Sequence, residues 1–102
     1  MFNDEKLADR INGLFHQVFR GDKVQPGEKT MDGEDFSLYG RAGVPILMFR
    51  LGTIEPEKLT RLKQLGETPP SLHSPLYYPE AAESLTTGVQ AAVAAVTELL
   101  KP

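Results

Sequence analysis

The segment PILMFRL, Pro45 to Leu51, constrains the fold of this chain more than any other stretch. Ile46, Leu47, Met48 and Phe49 follow one another without alternation. A half-buried strand alternates apolar and polar residues, because successive side chains point to opposite faces. An unbroken run reads instead as a strand buried on both faces, the setting of a central strand in a parallel sheet. Such a strand needs neighbours, and the sequence offers one weak candidate, near Lys23 to Gln25.

Two long amphipathic helices flank this segment. Leu7, Ile11, Leu14, Phe15 and Val18 recur at helical spacing, which predicts a helix over Asn3 to Arg20. Asn3 can cap it, Asp4 and Glu5 suit its positive end, and Gly21 suits its stop. Gly13 inside it costs about 1 kcal/mol against alanine. The second helix is predicted over Glu80 to Leu100, with Leu85, Val89, Ala92, Val93, Val96 and Leu100 as one apolar stripe interrupted only by Gly88. Shorter helices are expected at Glu34 to Tyr39, starting at Asp32 or Gly33 and closed by Gly40, and at Pro56 to Leu65, with Pro56 near its first position. Two long helices with apolar faces need a sheet to cover. The expected fold class is therefore α/β: a partial three-layer domain with long amphipathic helices packed on a small sheet. One clear strand is too few for that sheet, so the chain reads as part of a domain rather than a whole one.

At 102 residues the chain can bury a core, but a thin one. Its net charge of −3 argues against nucleic acid and anionic membrane as partners, since both need a basic face. Without cysteine it has neither a disulfide framework nor a thiolate metal site. The polar start, MFNDEKLADR, does not read as a signal peptide, and the longest apolar run is far short of the ~20 residues that span a bilayer. These features fit a cytoplasmic location.

Few residues can carry chemistry. His73 lies in PPSLHSPLYYPE, a loop braced by Pro69, Pro70, Pro75 and Pro79. Each proline fixes its own φ and restrains the residue before it. A metal ligand profits from such restraint, and neutral imidazole is a common ligand, yet a loop histidine bonded to nearby backbone fits the same pattern. One histidine does not make a zinc site, which needs three or four ligands. His16 falls on the side of its helix away from Leu7, Ile11 and Val18, where it is solvated. Asp32, Glu34 and Asp35 form an acidic cluster beside Gly33; carboxylates there can bind metal or act as bases, or simply cap a helix. Arg41 and Arg50 could hold a substrate carboxylate or form surface ion pairs. There is no phosphate-binding loop and no nucleophile elbow.

Taken in order, MDGEDFSLYG, GVPILMFRLGT, SLHSPLYYPE and a closing Ala/Val/Leu helix resemble the C-terminal end of the metal-dependent amidohydrolases. These are the relatives of aminoacylase and zinc carboxypeptidase, and the wording is nearest the hippurate hydrolase and N-acyl-amino-acid amidohydrolase branch. NDEKLADRINGLF resembles the point where chains of that family re-enter the catalytic domain after the lid domain. The resemblance covers essentially all of residues 1–102. It implies an enzyme that hydrolyses the amide bond of N-acyl amino acids or small peptides, using two divalent metal ions such as zinc, manganese or cobalt. It implies that His73 is a metal ligand and that Gly33, Glu34 and Asp35 line the cleft, with no catalytic role assigned to any residue. Asp32 stands where the family often has glycine or another small residue.

The same resemblance implies that the remaining metal ligands and the water-activating glutamate belong to upstream segments that this chain does not contain. Alone, it is expected to retain no metal and to be inactive. Two other readings stay open: one half of a split hydrolase, completed by a partner chain or by self-association, and a non-catalytic binding or assembly module that reuses the scaffold.

Overall fold

The computed structural model describes residues 2–28 and 34–102. Four α-helices, α1 (Glu5–Val18), α2 (Ser37–Arg41), α3 (Pro56–Gln64) and α4 (Ala81–Leu99), are joined by extended segments and turns, with a 3-10 turn at Gly21–Lys23. Among the described residues there is no strand. The expected α/β class, with helices packed on a small sheet, is therefore corrected to an all-helical arrangement. The chain forms two compact units, one of Met1–Arg50 with Gln90–Pro102 and one of Leu51–Val89.

In the first unit, α1 begins where Asp4, in extended conformation, accepts a hydrogen bond from the Leu7 N–H at 2.8 Å. Asp4, not Asn3, is the cap. Asn3 is used elsewhere: its Oδ1 accepts from the Met48 N–H at 2.8 Å and its Nδ2 donates to the Met48 carbonyl at 3.0 Å. The Asp4 N–H donates to the Ile46 carbonyl at 2.8 Å. These contacts explain why Pro45 to Leu51 is extended without being a strand. The expected burial on both faces is also corrected: only Ile46 of this run is buried, while Met48, Phe49 and Leu51 are exposed. Backbone polar groups that leave water need partners, and a ladder is only one way to supply them. Here two residues of chain and one side-chain amide do so. The other expected strand, Lys23 to Gln25, is replaced by the end of the 3-10 turn, where the Gln25 side chain bonds back to the Asp22 carbonyl at 2.9 Å.

Helix α2 starts later and ends later than the pattern of glycines suggests. Its stop is Gly43, at φ 90°, not Gly40. The Val44 N–H reaches the Tyr39 carbonyl at 3.1 Å and the Gly43 N–H reaches the Gly40 carbonyl at 3.0 Å, a Schellman closure that places its left-handed residue at glycine. Gly40 lies inside the helix for a different reason. A Cβ there would sit 2.8 Å from Cδ1 of the buried Ile46, so the absent side chain lets α2 close on that residue.

The core of this unit is Ile11, Phe15 and Ala91, with Leu7, Leu14, Phe19, Val24, Leu47 and Ala95 packed around them. Phe15 meets Phe49 edge to face at 5.0 Å and Phe19 at 5.9 Å, geometries that suit the ring quadrupoles. Ala91 is the α4 residue in this cluster. The stripe expected to be buried, Leu85, Val89, Ala92, Val93, Val96 and Leu100, is exposed along its whole length. Helix α4 packs instead through small residues on its other side, which let α1 approach closely. Arg10 fastens that contact, with Nε 3.0 Å from Glu98 Oε1 and Nη2 2.7 Å from the Glu98 carbonyl.

In the second unit, α3 opens with Pro56 at its start and closes as α2 does, with Glu67 N–H on the Leu62 carbonyl at 2.9 Å and Gly66 at φ 70°. The Glu80 N–H donates to the Thr53 carbonyl at 2.7 Å, and the Thr53 hydroxyl is bonded to the Tyr77 hydroxyl. The Glu80 carboxylate accepts from the Ala82 and Glu83 N–H groups at 3.2 and 2.7 Å, which caps the start of α4. The buried hydrophobic residues among those described, Ile11, Phe15, Ile46 and Ala91, all belong to the first unit.

Candidate functional site

His73 is positioned by two turns that share Ser74. The Ser74 N–H donates to the Ser71 carbonyl at 3.0 Å, which puts Leu72 and His73 at the centre of the first turn. The Tyr77 N–H donates to the Ser74 carbonyl at 3.1 Å, which puts Pro75 at the first central position of the second, where its fixed φ is favoured. Ser74 Oγ accepts from the Leu76 N–H at 3.1 Å and stiffens the junction. Pro69 and Pro70 are half-buried beside Ile54, Lys58, Leu62, Tyr77 and Tyr78, which line a small cleft. The Lys58 ammonium lies 6.0 Å from the centre of the Tyr78 ring. The imidazole of His73 is exposed, and no hydrogen bond engages it among the described residues.

Glu34 and Asp35 are also exposed. Their visible work is local. The Glu34 carbonyl accepts from Ser37 N–H at 3.0 Å, the Asp35 carbonyl accepts from Leu38 N–H at 2.9 Å, and Glu34 Oε1 lies 3.4 Å from the Phe36 nitrogen that donates to it. These contacts, two of them through backbone carbonyls, lead the chain into α2, whose N-cap is Phe36 with no side-chain cap. Gly33, the third residue expected to line the cleft, and Asp32 beside it lie outside the described residues. Arg41, at the end of α2, is exposed, as are Arg50 and His16.

His73 belongs to the Leu51–Val89 unit, and Glu34 and Asp35 belong to the other. Among the described residues, no three His, Cys, Asp or Glu side chains are grouped so as to hold a metal ion. Since a two-metal centre needs several oxygen and nitrogen donors on each ion, the donors of these residues do not fit one by themselves.

The clearest electrostatic constellation in the structure is one the sequence pattern did not single out. Glu98 accepts from Lys101 at 2.6 Å and from Arg10 at 3.0 Å. The hydrogen bond from Lys101, then that from Arg10, holds its carboxyl below the usual glutamate range. Sequence could have flagged Lys101, three residues away and just past the end of α4, but not Arg10, which is 88 residues distant.

No helix among the described residues is long and apolar enough to cross a membrane. No family model matches the chain, and no solved structure matches it.

Proposed function

We propose that this chain is the C-terminal part of the catalytic domain of a metal-dependent amidohydrolase of the hippurate hydrolase type, and that it acts in the cytoplasm. The order of its motifs carries this reading: Gly33-Glu34-Asp35-Phe36, then Pro45 to Leu51, then Leu72-His73-Ser74-Pro75, then the closing Ala/Val/Leu helix. In the parent enzyme, His73 gives one ligand to a divalent metal centre, zinc, manganese or cobalt, and Gly33, Glu34 and Asp35 line the cleft. That centre supplies the polarisation needed to hydrolyse the amide of an N-acyl amino acid or small peptide. Two features of the molecule support the reading. A braced double turn presents an exposed imidazole that engages no hydrogen bond among the described residues, and large apolar side chains such as Leu85 and Val93 are exposed.

In this reading the isolated chain is inactive, because the other ligands and the water-activating glutamate come from elsewhere. The test has two parts. Purified chain, assayed on hippurate with zinc, manganese or cobalt added, is expected to show no turnover; metal-dependent turnover by the chain alone overturns its incompleteness. The DNA around the coding sequence is expected to encode the missing acidic and histidine ligands, in the same frame, a shifted frame or a neighbouring gene. A genome without such a segment overturns the hydrolase reading and leaves the assembly-module reading, which the exposed face of α4 favours.

A further inference from the structure

The loop over residues 69–80 has an anchored base and a bare tip. At the base Pro69, Pro70, Tyr77, Pro79 and Glu80 are half-buried. At the tip His73 is exposed, and Leu72 and Leu76 are 75% and 76% exposed. The Ser71–Ser74 and Ser74–Tyr77 turns, with four prolines, fix the shape of the tip. Where the tip stands is decided at the base.

Two hydrogen bonds tie the loop to a segment distant in sequence, and both end on Thr53. The Thr53 carbonyl accepts from the Glu80 N–H at 2.7 Å, and the Thr53 hydroxyl is bonded to the Tyr77 hydroxyl. The first bond uses backbone and survives any change of side chain at 53; the second can be removed by itself. Tyr77 also closes the second turn, through its N–H on the Ser74 carbonyl. A line of contacts therefore runs from Thr53 through Tyr77 to Ser74, the neighbour of His73. The buried hydrophobic residues among those described all belong to the other unit. The loop is thus held by half-buried contacts and hydrogen bonds, the kind of element that opens at less cost than global unfolding. One typical hydrogen bond shifts such an equilibrium by about 2- to 12-fold.

We infer that Thr53 is a latch: the loop over residues 69–80 opens locally by releasing Thr53, and the two turns that carry His73 move with it as one piece. A ligand that needs the latched position of the imidazole then binds only the latched fraction of the chain, so the latch sets its apparent affinity. The inference concerns how the imidazole is held and is independent of the amidohydrolase reading.

Amide exchange and NMR shifts of the unaltered chain and of Thr53→Val, Thr53→Ser and Tyr77→Phe test it. In the unaltered chain the Glu80 amide is expected to exchange through a smaller opening than the amides of Ile11 and Phe15; exchange of all three only by global unfolding overturns the local opening. Thr53→Val and Tyr77→Phe are each expected to quicken Glu80 exchange by about 2- to 12-fold, and the double variant no further than either alone. Thr53→Ser keeps the hydroxyl and is expected to keep the rate of the unaltered chain. Ile11 and Phe15 are expected to hold their rates throughout; an equal quickening there makes the bond one of general stability and overturns the latch. The signals of Leu72, His73 and Ser74, none of which is bonded to Thr53, are expected to shift together in Thr53→Val. Signals that stay in place while Glu80 exchange quickens overturn the movement of His73 with the loop.

Discussion

Asn3 and Met48 pair in both directions: the side-chain amide of Asn3 accepts from the Met48 N–H at 2.8 Å and donates to the Met48 carbonyl at 3.0 Å. A neighbouring strand would offer Met48 the same two bonds. One side chain thus stands in for a strand partner and holds the apolar segment against the start of α1. Asn3→Ala is expected to lower stability by about 1–2 kcal/mol, from two lost hydrogen bonds. Asn3→Asp keeps the acceptor, loses the donor and should fall between. Urea unfolding midpoints measure the loss, and amide exchange at Met48 should quicken in step; an unchanged Met48 exchange rate would refute the role given to Asn3.

The orientation of α4 makes a contrast between two neighbouring positions. Ala91 is 4% exposed against Ile11 and Phe15, so Ala91→Val overpacks the core and should cost about 1–3 kcal/mol. Val93, two residues on, faces outward. Val93→Ser should stay within about 0.5 kcal/mol of the parent chain. Equal losses at the two positions in a thermal melt would mean that α4 is turned the other way.

Glu98 gives stability a pH signature. Its carboxyl is held below the ordinary glutamate value by hydrogen bonds from Lys101 and Arg10. A group whose folded pKa is depressed contributes stability that is present above its unfolded pKa, about 4.3, and is lost as pH falls through the folded value. Denaturation midpoints of the parent chain should therefore drop below that pH more steeply than those of Glu98→Gln. Because the ion pairs are open to solvent, added salt should narrow the difference. Parallel pH profiles for the two chains would remove Glu98 from the account.

His73 separates function from folding. Its ring is exposed and engages no hydrogen bond among the described residues, so His73→Ala should leave the melting curve within about 0.5 kcal/mol of the parent. Pro75→Gly, by contrast, frees the turn that His73 leads into and should cost about 0.4–1 kcal/mol through the unfolded chain. If the chain is joined to the segment that completes the metal centre, His73→Ala should reduce bound metal while Pro75→Gly mostly lowers stability. Metal content by elemental analysis distinguishes the two, and undiminished metal in His73→Ala would end its assignment as a ligand.

Much of the local structure was legible in the residues themselves. Periodicity and caps marked α1, α3 and α4 to within a residue or two of their ends, because a helix satisfies its backbone within its own length. The proline spacing around His73 foretold a stiff loop, and the structure resolves it into two turns sharing Ser74. Gly40 misled, since the same residue suits a helix end and a close helix contact, and only the position of Ile46 distinguishes them.

What periodicity could not settle was which surfaces meet. An unbroken apolar run suggests burial on both faces, yet in Pro45 to Leu51 only Ile46 is buried while Met48, Phe49 and Leu51 are exposed, and the segment found its backbone partners in Asn3 and Asp4 instead of in a strand. The stripe on α4 specifies an apolar face but not what covers it; the small residues behind it allowed α1 to pack on the other side. Sequence alone determined the helices and turns, whose hydrogen bonds close over a few residues. Tertiary structure decided the absence of a strand among the described residues and the outward face of α4, because both depend on contacts between distant segments competing for the same backbone groups and the same apolar surface.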